Sequence, residues 1–355
     1  MVNYPNDASD NARGGRRGLR AIPTKDLFEA IRNAFNLRIS NDVIDLGGSS
    51  NLNLLVTANN QNYVIRVYRP YVNKERLLDI QKVRRKLKEE GVPTTEAILT
   101  KDGQSYIVYN HRLVEMEPHI ESDQEMNNWD RVKKGLPILG KIHTILKDIQ
   151  VSNEAKYPLF ANYIKPEDVR ANSFKGIDRI RGWENLSDEE KKLADAAEEL
   201  ADLLYGKEIP LVSTLPRQLV HGDFWDNNIF FQQDQVVLVT DFDFMGERAR
   251  IDDLALTLYF LSFQFKCMTT EESIARLSSL VQAYESGLGE PLSDTERKAL
   301  PLALARQPLW SIGGWIVSLD DEETARNHAN GMFSQVEWAL KIMKDLDKWQ
   351  EAFSS

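Results

Sequence analysis

The stretch His221-Gly222-Asp223-Phe224-Trp225-Asp226-Asn227-Asn228, followed across an apolar run by Asp241-Phe242-Asp243, decides how this chain is read. One acid, Asp223, is spaced to accept or orient a hydroxyl proton. An amide and a carboxylate, Asn228 and Asp241, can hold Mg²⁺ on a nucleotide. Phosphoryl transfer asks for these residue types because it depends on positioning and charge neutralisation more than on covalent help from the protein. Mg²⁺ takes hard oxygen ligands, usually only one or two protein groups beside phosphates and water, so no His or Cys cluster is required. Between the two ligands, Ile229-Phe230-Phe231 and Val236-Val237-Leu238-Val239 predict strands joined by the polar turn Gln232-Gln233-Asp234-Gln235. Such a hairpin returns Asp241 to the neighbourhood of Asn228. Taken singly, these residues read as strand-end acids and a turn asparagine; their joint spacing favours the chemical reading.

Three motifs in order, His221 to Asn228, Val239-Thr240-Asp241-Phe242-Asp243 and Asp253-Leu254-Ala255, resemble the catalytic core of the aminoglycoside phosphotransferase and choline kinase-like family. The resemblance implies an α+β, two-lobed protein kinase-like fold with a small antiparallel-sheet N-lobe and a larger, mainly helical C-lobe. It implies Asp223 as catalytic base, Asn228 and Asp241 as magnesium ligands, and ATP or GTP as co-substrate. It covers most of the chain, and its specific motifs lie in this core.

Upstream, Val43-Ile44-Asp45-Leu46 leads into Gly47-Gly48-Ser49-Ser50-Asn51, with strands expected over Leu52 to Ala58 and Tyr63 to Tyr68 around an Asn59-Asn60-Gln61-Asn62 turn. A glycine and serine loop there can cover phosphates with backbone N–H groups; it also reads as an ordinary turn. Where protein kinases present a lysine to the α- and β-phosphates, this chain has Arg66, whose planar fork can grip phosphate oxygens or can point outward between Ile65 and Val67. Lys74 to Glu89 carries Leu77, Leu78, Ile80, Val83 and Leu87 at helical spacing, and Asp79 or Glu75 is the expected acidic partner of Arg66. Strands over Ser105 to Tyr109 and Arg112 to Met116 run into Glu115-Met116-Glu117-Pro118, a backbone stretch at which the resembled kinases hydrogen-bond the purine and which otherwise reads as an interlobe linker. These boundaries divide the chain into an N-terminal tail (1–20), a nucleotide-binding lobe (21–118) and a catalytic, substrate-binding lobe (119–355).

Composition agrees with that layout. The chain has 355 residues, 42% hydrophobic and 28% charged, which is room for two lobes with substantial cores. No stretch approaches the roughly 20 apolar residues of a membrane span, and no secretory leader is evident, so a cytoplasmic protein is expected. The single cysteine, Cys267, rules out an internal disulfide and reads as core filler. A net charge of −10 argues against nucleic acid and anionic membrane as partners, because phosphate-rich surfaces reward basic patches. The tail, with Arg13, Arg16, Arg17 and Arg20 among Asn, Gly and Asp, has too little apolar content to pack. Pro23-Thr24 then opens a short helix carrying Leu27, Phe28, Ile31, Ala34 and Phe35.

Beyond Glu121 the periodicity is helical. Pro137 to Ile149 predicts a helix with His143 beside its apolar face as a packing and hydrogen-bonding residue, and capping boxes at Ser187 with Glu190, Thr269 with Glu272 and Ser293 with Glu296 mark three more helix starts. After Asp243 the chain passes at once through Phe244 to Ile251 into a helix, leaving no room for the peptide-docking segment of protein kinases. The acceptor is therefore expected to be a small hydroxylated molecule. Asp226, Asp243, Glu247 and Asp252 would suit a cationic acceptor, or they cap helices and balance Arg248 and Arg250. Trp310 and Trp315, flanking Gly313-Gly314, line a pocket or fill core. A kinase-like binding protein without turnover is the alternative, encouraged by Arg66 and opposed by the full acid and metal set.

Overall fold

The structure, a computed structural model, describes residues 20–354 apart from 49, 159–161 and 266–268. The expectations for Ser49, for Cys267 and for the tail short of Arg20 fall outside that range.

Helix α1 (Lys25–Phe35) is capped by Thr24, whose hydroxyl accepts from the Leu27 N–H, and it buries Leu27, Phe28, Ile31 and Phe35 on one face. Strands β1 (Ile39–Gly47), β2 (Leu52–Ala58) and β3 (Gln61–Val67) follow, then α2 (Lys74–Glu89), β4 (Ile107–Tyr109) and β5 (Arg112–Pro118). They form a five-stranded antiparallel sheet ordered β1-β2-β3-β5-β4. In β2 the alternation Leu52, Leu54, Val56, Ala58 faces inward, the period-2 signature of a half-buried strand. The hairpin turns Asn59-Asn60 and Asn110-His111 have positive φ at both residues, the conformation whose twist matches the flanking strands.

The remainder is mainly helical. A short β6 (Gln124–Glu125) precedes α3 (Trp129–Leu146), α4 (Asn153–Lys156), α5 (Val169–Arg181) and α6 (Asp188–Val212). Next come β7 (Arg217–Val220), β8 (Ile229–Gln232), β9 (Gln235–Val239), β10 (Gly246–Ala249) and α7 (Arg250–Gln264). The chain closes with α8 (Thr270–Glu285), α9 (Asp294–Trp310), a π-helical turn over Ser311–Ile316, α10 (Glu322–Ala329), α11 (Met332–Lys344) and α12 (Leu346–Ser354). The three capping boxes form as expected, at Ser187, Thr269 and Ser293. The architecture is the expected α+β, two-lobed arrangement.

Two elements depart from the sequence reading. Helix α3 begins eight residues before Pro137, because the Asn128 side chain accepts from the Arg131 N–H and starts it there. Pro137 then sits inside the helix, at the loss of one backbone hydrogen bond; burial of Leu136, Leu139, Ile142 and Leu146 on the same face offsets that loss. Each such side chain contributes about 1.5–3 kcal/mol. Helix α2 belongs to the larger core: Leu77, Ile80, Val83 and Leu87 join the helical cluster, while α1 and the sheet enclose a separate one around Leu52, Ile65, Val114 and Met116.

Candidate active site

Strand β7 ends at Val220, just before His221, and the loop that follows is held from below by α7. Asp253, buried in the first turn of α7, accepts the backbone N–H groups of His221 (3.1 Å) and Gly222 (2.9 Å) and the Nε2 of His143 (3.0 Å). Burial pushes the Asp253 carboxyl up, but the hydrogen bond from His143 and the nearby Arg248 outweigh it and hold the carboxyl below its ordinary value. One turn on, the Thr257 hydroxyl donates to the carbonyl of Phe224 (2.6 Å). Gly222 has φ +87°, and a Cβ there would lie 2.1 Å from the Phe244 carbonyl oxygen, so both backbone angle and space demand glycine. His221 is fully buried; its Nε2 donates to the Thr240 carbonyl (3.0 Å) and its Nδ1 accepts from the Asp223 N–H (3.2 Å). Burial drives its imidazole down to about 4, so it stays neutral and serves as a tie between the loop and the end of β9.

Asp223 emerges from this scaffold nearly buried. Its Oδ1 accepts from the Asn162 amide (2.8 Å) and its Oδ2 from the Asn228 amide (3.1 Å). Burial, and next the charge of Asp241, push its carboxyl up to about 7, against the opposing hydrogen bonds. Asn228 also donates to the Asp223 carbonyl (2.8 Å), so its amide nitrogen is committed to Asp223. The hairpin of β8 and β9 pairs Ile229 with Val239, and the Thr240 N–H bonds the Asn228 carbonyl (3.0 Å), so Asp241 follows directly beside Asn228. Its turn, Gln233-Asp234, has positive φ at both residues. Asp241 takes a left-handed conformation (φ 63°, ψ 59°) and keeps its carboxylate a quarter exposed, at 27%. Two hard oxygen donors on adjacent backbone with one open side fit a magnesium ion completed by phosphates and water. Among the described residues there is no cluster of three or more His, Cys, Asp or Glu that would hold a metal by protein ligands alone.

The phosphotransferase enzyme family model matches residues 44–293, from the first strand through the start of α9. The chain belongs to this family. It is accordingly a phosphotransferase, a kinase of small hydroxylated molecules. A homoserine kinase of Zymomonas mobilis is 24% identical over 260 residues, spanning 72% of this chain and 74% of the relative. A microcompartment-associated aminopropanol kinase shares the fold with a TM-score of 0.68 at 17% identity, over 90% of this chain and 98% of that one. Amicoumacin kinase hAmiN, solved in complex with AMP-PNP, Ca²⁺ and Ami, superposes with a TM-score of 0.63 at 16% identity, over 88% of this chain and 92% of the other.

In this phosphotransferase Arg66 does not meet Asp79 or Glu75. Its Nη1 donates to Asp241 (3.1 Å), its Nη2 to the Thr240 hydroxyl (3.1 Å), and Glu117 and Asp243 lie at 3.7 Å. The acid on α2 is replaced by a base: Arg84 grips Glu115 through two bonds (2.9 and 3.0 Å) and reaches Glu117 at 3.3 Å. Asp79 instead accepts from the Ser152 N–H (2.9 Å) on the far side of α2. The side chains of Glu115 and Glu117 are both buried on β5. The Met116 carbonyl accepts from the Ile98 N–H (2.7 Å).

The glycine loop is tied at its base, the Gly47 N–H to Asp45 (2.8 Å) and the Asn53 amide to the Gly47 carbonyl (3.1 Å). Gly47 and Gly48 both have positive φ; at Gly48 a Cβ would lie 2.8 Å from the Asn51 carbonyl oxygen, and Ser50 continues the bend. Asn51, just past the loop, donates to Asp243 (2.6 Å) and so joins the sheet to the segment after β9. That bond puts Asp243 against the sheet, buried beneath the loop and away from open solvent. Asp226 is half-buried, bonded by Gln264 (3.1 Å), its carboxyl raised by burial; Glu125 beside it is raised by burial and by Asp226. Glu247 lies on β10 and pairs with Lys156 (3.3 Å). Trp310 ends α9 and Trp315 lies in the π-helical turn, tilted over His328, both packed against the larger core. Asn51, Asn162 and Arg84 are the contributors that carry no motif; an asparagine in a loop and an arginine on a charged helix look like many others.

Proposed function

We propose that this protein transfers the γ-phosphoryl group of ATP, with Mg²⁺, to the hydroxyl of a small amino alcohol or hydroxy amino acid, with Asp223 as the base. The observation that carries the reading is the pair of amide bonds on Asp223 together with Asp241 beside Asn228: a fixed proton acceptor next to a two-oxygen metal position. When bound, the ion would neutralise charge on the β- and γ-phosphate oxygens. Asn228 and Asp241 would hold it, while Arg66 and the Gly47-Gly48 loop would face the phosphates. Asp223 would orient the acceptor hydroxyl; its oxygen bonds phosphorus, the bridge to the β-phosphate breaks, ADP leaves with the electron pair, and the hydroxyl proton passes to the carboxylate. The acceptor class is supported by the homoserine and aminopropanol kinases among the similar proteins, and by the carboxylates Asp226 and Glu125 flanking the same loop, which suit an ammonium group.

The test is coupled ADP release with Mg·ATP over L-homoserine, 3-aminopropan-1-ol, choline, simple sugars and aminoglycosides, repeated with Asp223→Asn. Release stimulated by an amino alcohol or hydroxy amino acid, and lost in the variant, is expected. Wild-type turnover by Asp223→Asn would remove the base, and stimulation by aminoglycosides alone would overturn the acceptor class.

A further inference from the structure

We propose that Asn162 is a positioning residue for Asp223, an assignment that rests on Asp223 being the base. An aspartate carboxylate turns easily about its last torsion, whose energy well is broad and two-fold. Asn228 belongs to the same loop as Asp223 and grips one oxygen, Oδ2 (3.1 Å); a carboxylate held at one oxygen can still swing. Asn162 comes from a separate segment, between α4 and α5, and grips the other oxygen, Oδ1 (2.8 Å). The two amides together fix the plane of the carboxylate and leave its remaining lone pairs to an acceptor hydroxyl.

Tyr163 and Ile164, next to Asn162, are anchored without help from the asparagine side chain. Arg306 of α9 donates to the Ile164 carbonyl, and its guanidinium lies 5.4 Å from the centre of the Tyr163 ring. Arg306 is itself held by Glu208 of α6 (3.0 Å) and by Asp252 of α7. Asp252 and Asp253 are neighbours in the first turn of α7: one fixes Arg306 and through it the Asn162 segment, the other fixes the backbone of His221 and Gly222. Base and positioner are thus both referred to one rigid helix end, which is what a bond between two separate segments needs to hold its geometry.

Asn162→Leu, near-isosteric but without the amide, and Asn162→Ala test this by kinetics with Mg·ATP and L-homoserine or 3-aminopropan-1-ol, whichever the wild-type protein turns over faster; acceptor-free ATP hydrolysis supplies the same comparison. A fall in kcat of about 10- to 100-fold is expected, since small misplacements of a catalytic group have effects of that size. The KM for ATP and the melting temperature should stay at wild-type values. A kcat within twofold of wild type, a rise confined to the acceptor KM, or a loss of melting temperature in both variants would overturn the proposal. Asp223→Asn separates the two levels: if it is inactive while the Asn162 variants are unimpaired, Asn162 is not the positioner and the base stands; if it turns over normally, the base reading fails first.

Discussion

Arg66 on β3 donates to Asp241, behind β9, at 3.1 Å, joining the small sheet to the acid beside Asn228. The guanidinium is buried among three carboxylates, Asp241, Asp243 and Glu117, and Glu117 passes the charge pattern on to Arg84 and Glu115. Protein kinases use a lysine on this strand and a glutamate on the helix; here the strand carries the arginine, the next strand the glutamates and the helix the second arginine. Burial opposes the charge on Arg66, yet the surrounding acids raise its pKa well above the ordinary value, so it is a permanent cation.

Arg66→Lys keeps the charge and loses the fork that spans Asp241 and Thr240. We expect the KM for ATP to rise about tenfold, the order of one lost charge-assisted hydrogen bond, with kcat changed much less. An unaltered KM would show that the guanidinium is structural. Arg66→Ala takes the ion-pair partner from Asp241 while Glu117 keeps Arg84 and Asp243 keeps Asn51, so it should cost about 1–3 kcal/mol in denaturant unfolding.

In metal-free buffer the stability of Asp223→Asn relative to the wild type should rise with pH. Burial and Asp241 raise the carboxyl from 3.8 to about 7, so the folded chain holds a proton that the unfolded chain has lost. Stability contributed by this group is present at acid pH and falls as pH rises from about 4 to about 7. The amide never ionises, so the melting temperature of the variant relative to the wild type should rise over that window and level off above it. A constant difference across pH would contradict the shift.

Gly222→Ala should damage folding and activity together. A methyl group at φ +87° and 2.1 Å from the Phe244 oxygen forces the loop off Asp253. The loss should exceed about 1 kcal/mol, the scale of glycine replacement at a positive φ alone, and circular dichroism melts measure it. A melt superimposable on wild type would mean the loop yields freely.

Arg306→Met removes the cation shared by Glu208 and Asp252. Two buried acids without a partner should cost about 3–5 kcal/mol, and Glu208→Gln added to the variant should recover part of it, since that carboxyl is already raised to about 7 by burial despite Arg306. No recovery in the double variant would place the cost elsewhere.

Much of this architecture is local and could be read directly. Helix α2 spans Lys74–Glu89 as its apolar spacing predicts, the capping boxes at Ser187, Thr269 and Ser293 form between residues three apart, and the hairpin after Asn228 returns the chain to Asp241. Periodicity, caps and tight turns are short-range interactions, so a handful of consecutive side chains suffices to specify them. The partners of those elements were another matter. Arg66 pairs with acids behind β9 and not with Asp79, Asn162 reaches Asp223 from a loop without a motif, and Glu115 meets an arginine on α2. Each of these bonds joins segments far apart in the chain, and which charges meet depends on how the sheet, α2 and α7 pack. That choice belongs to the summed burial of the two cores, and no window of neighbouring residues contains it.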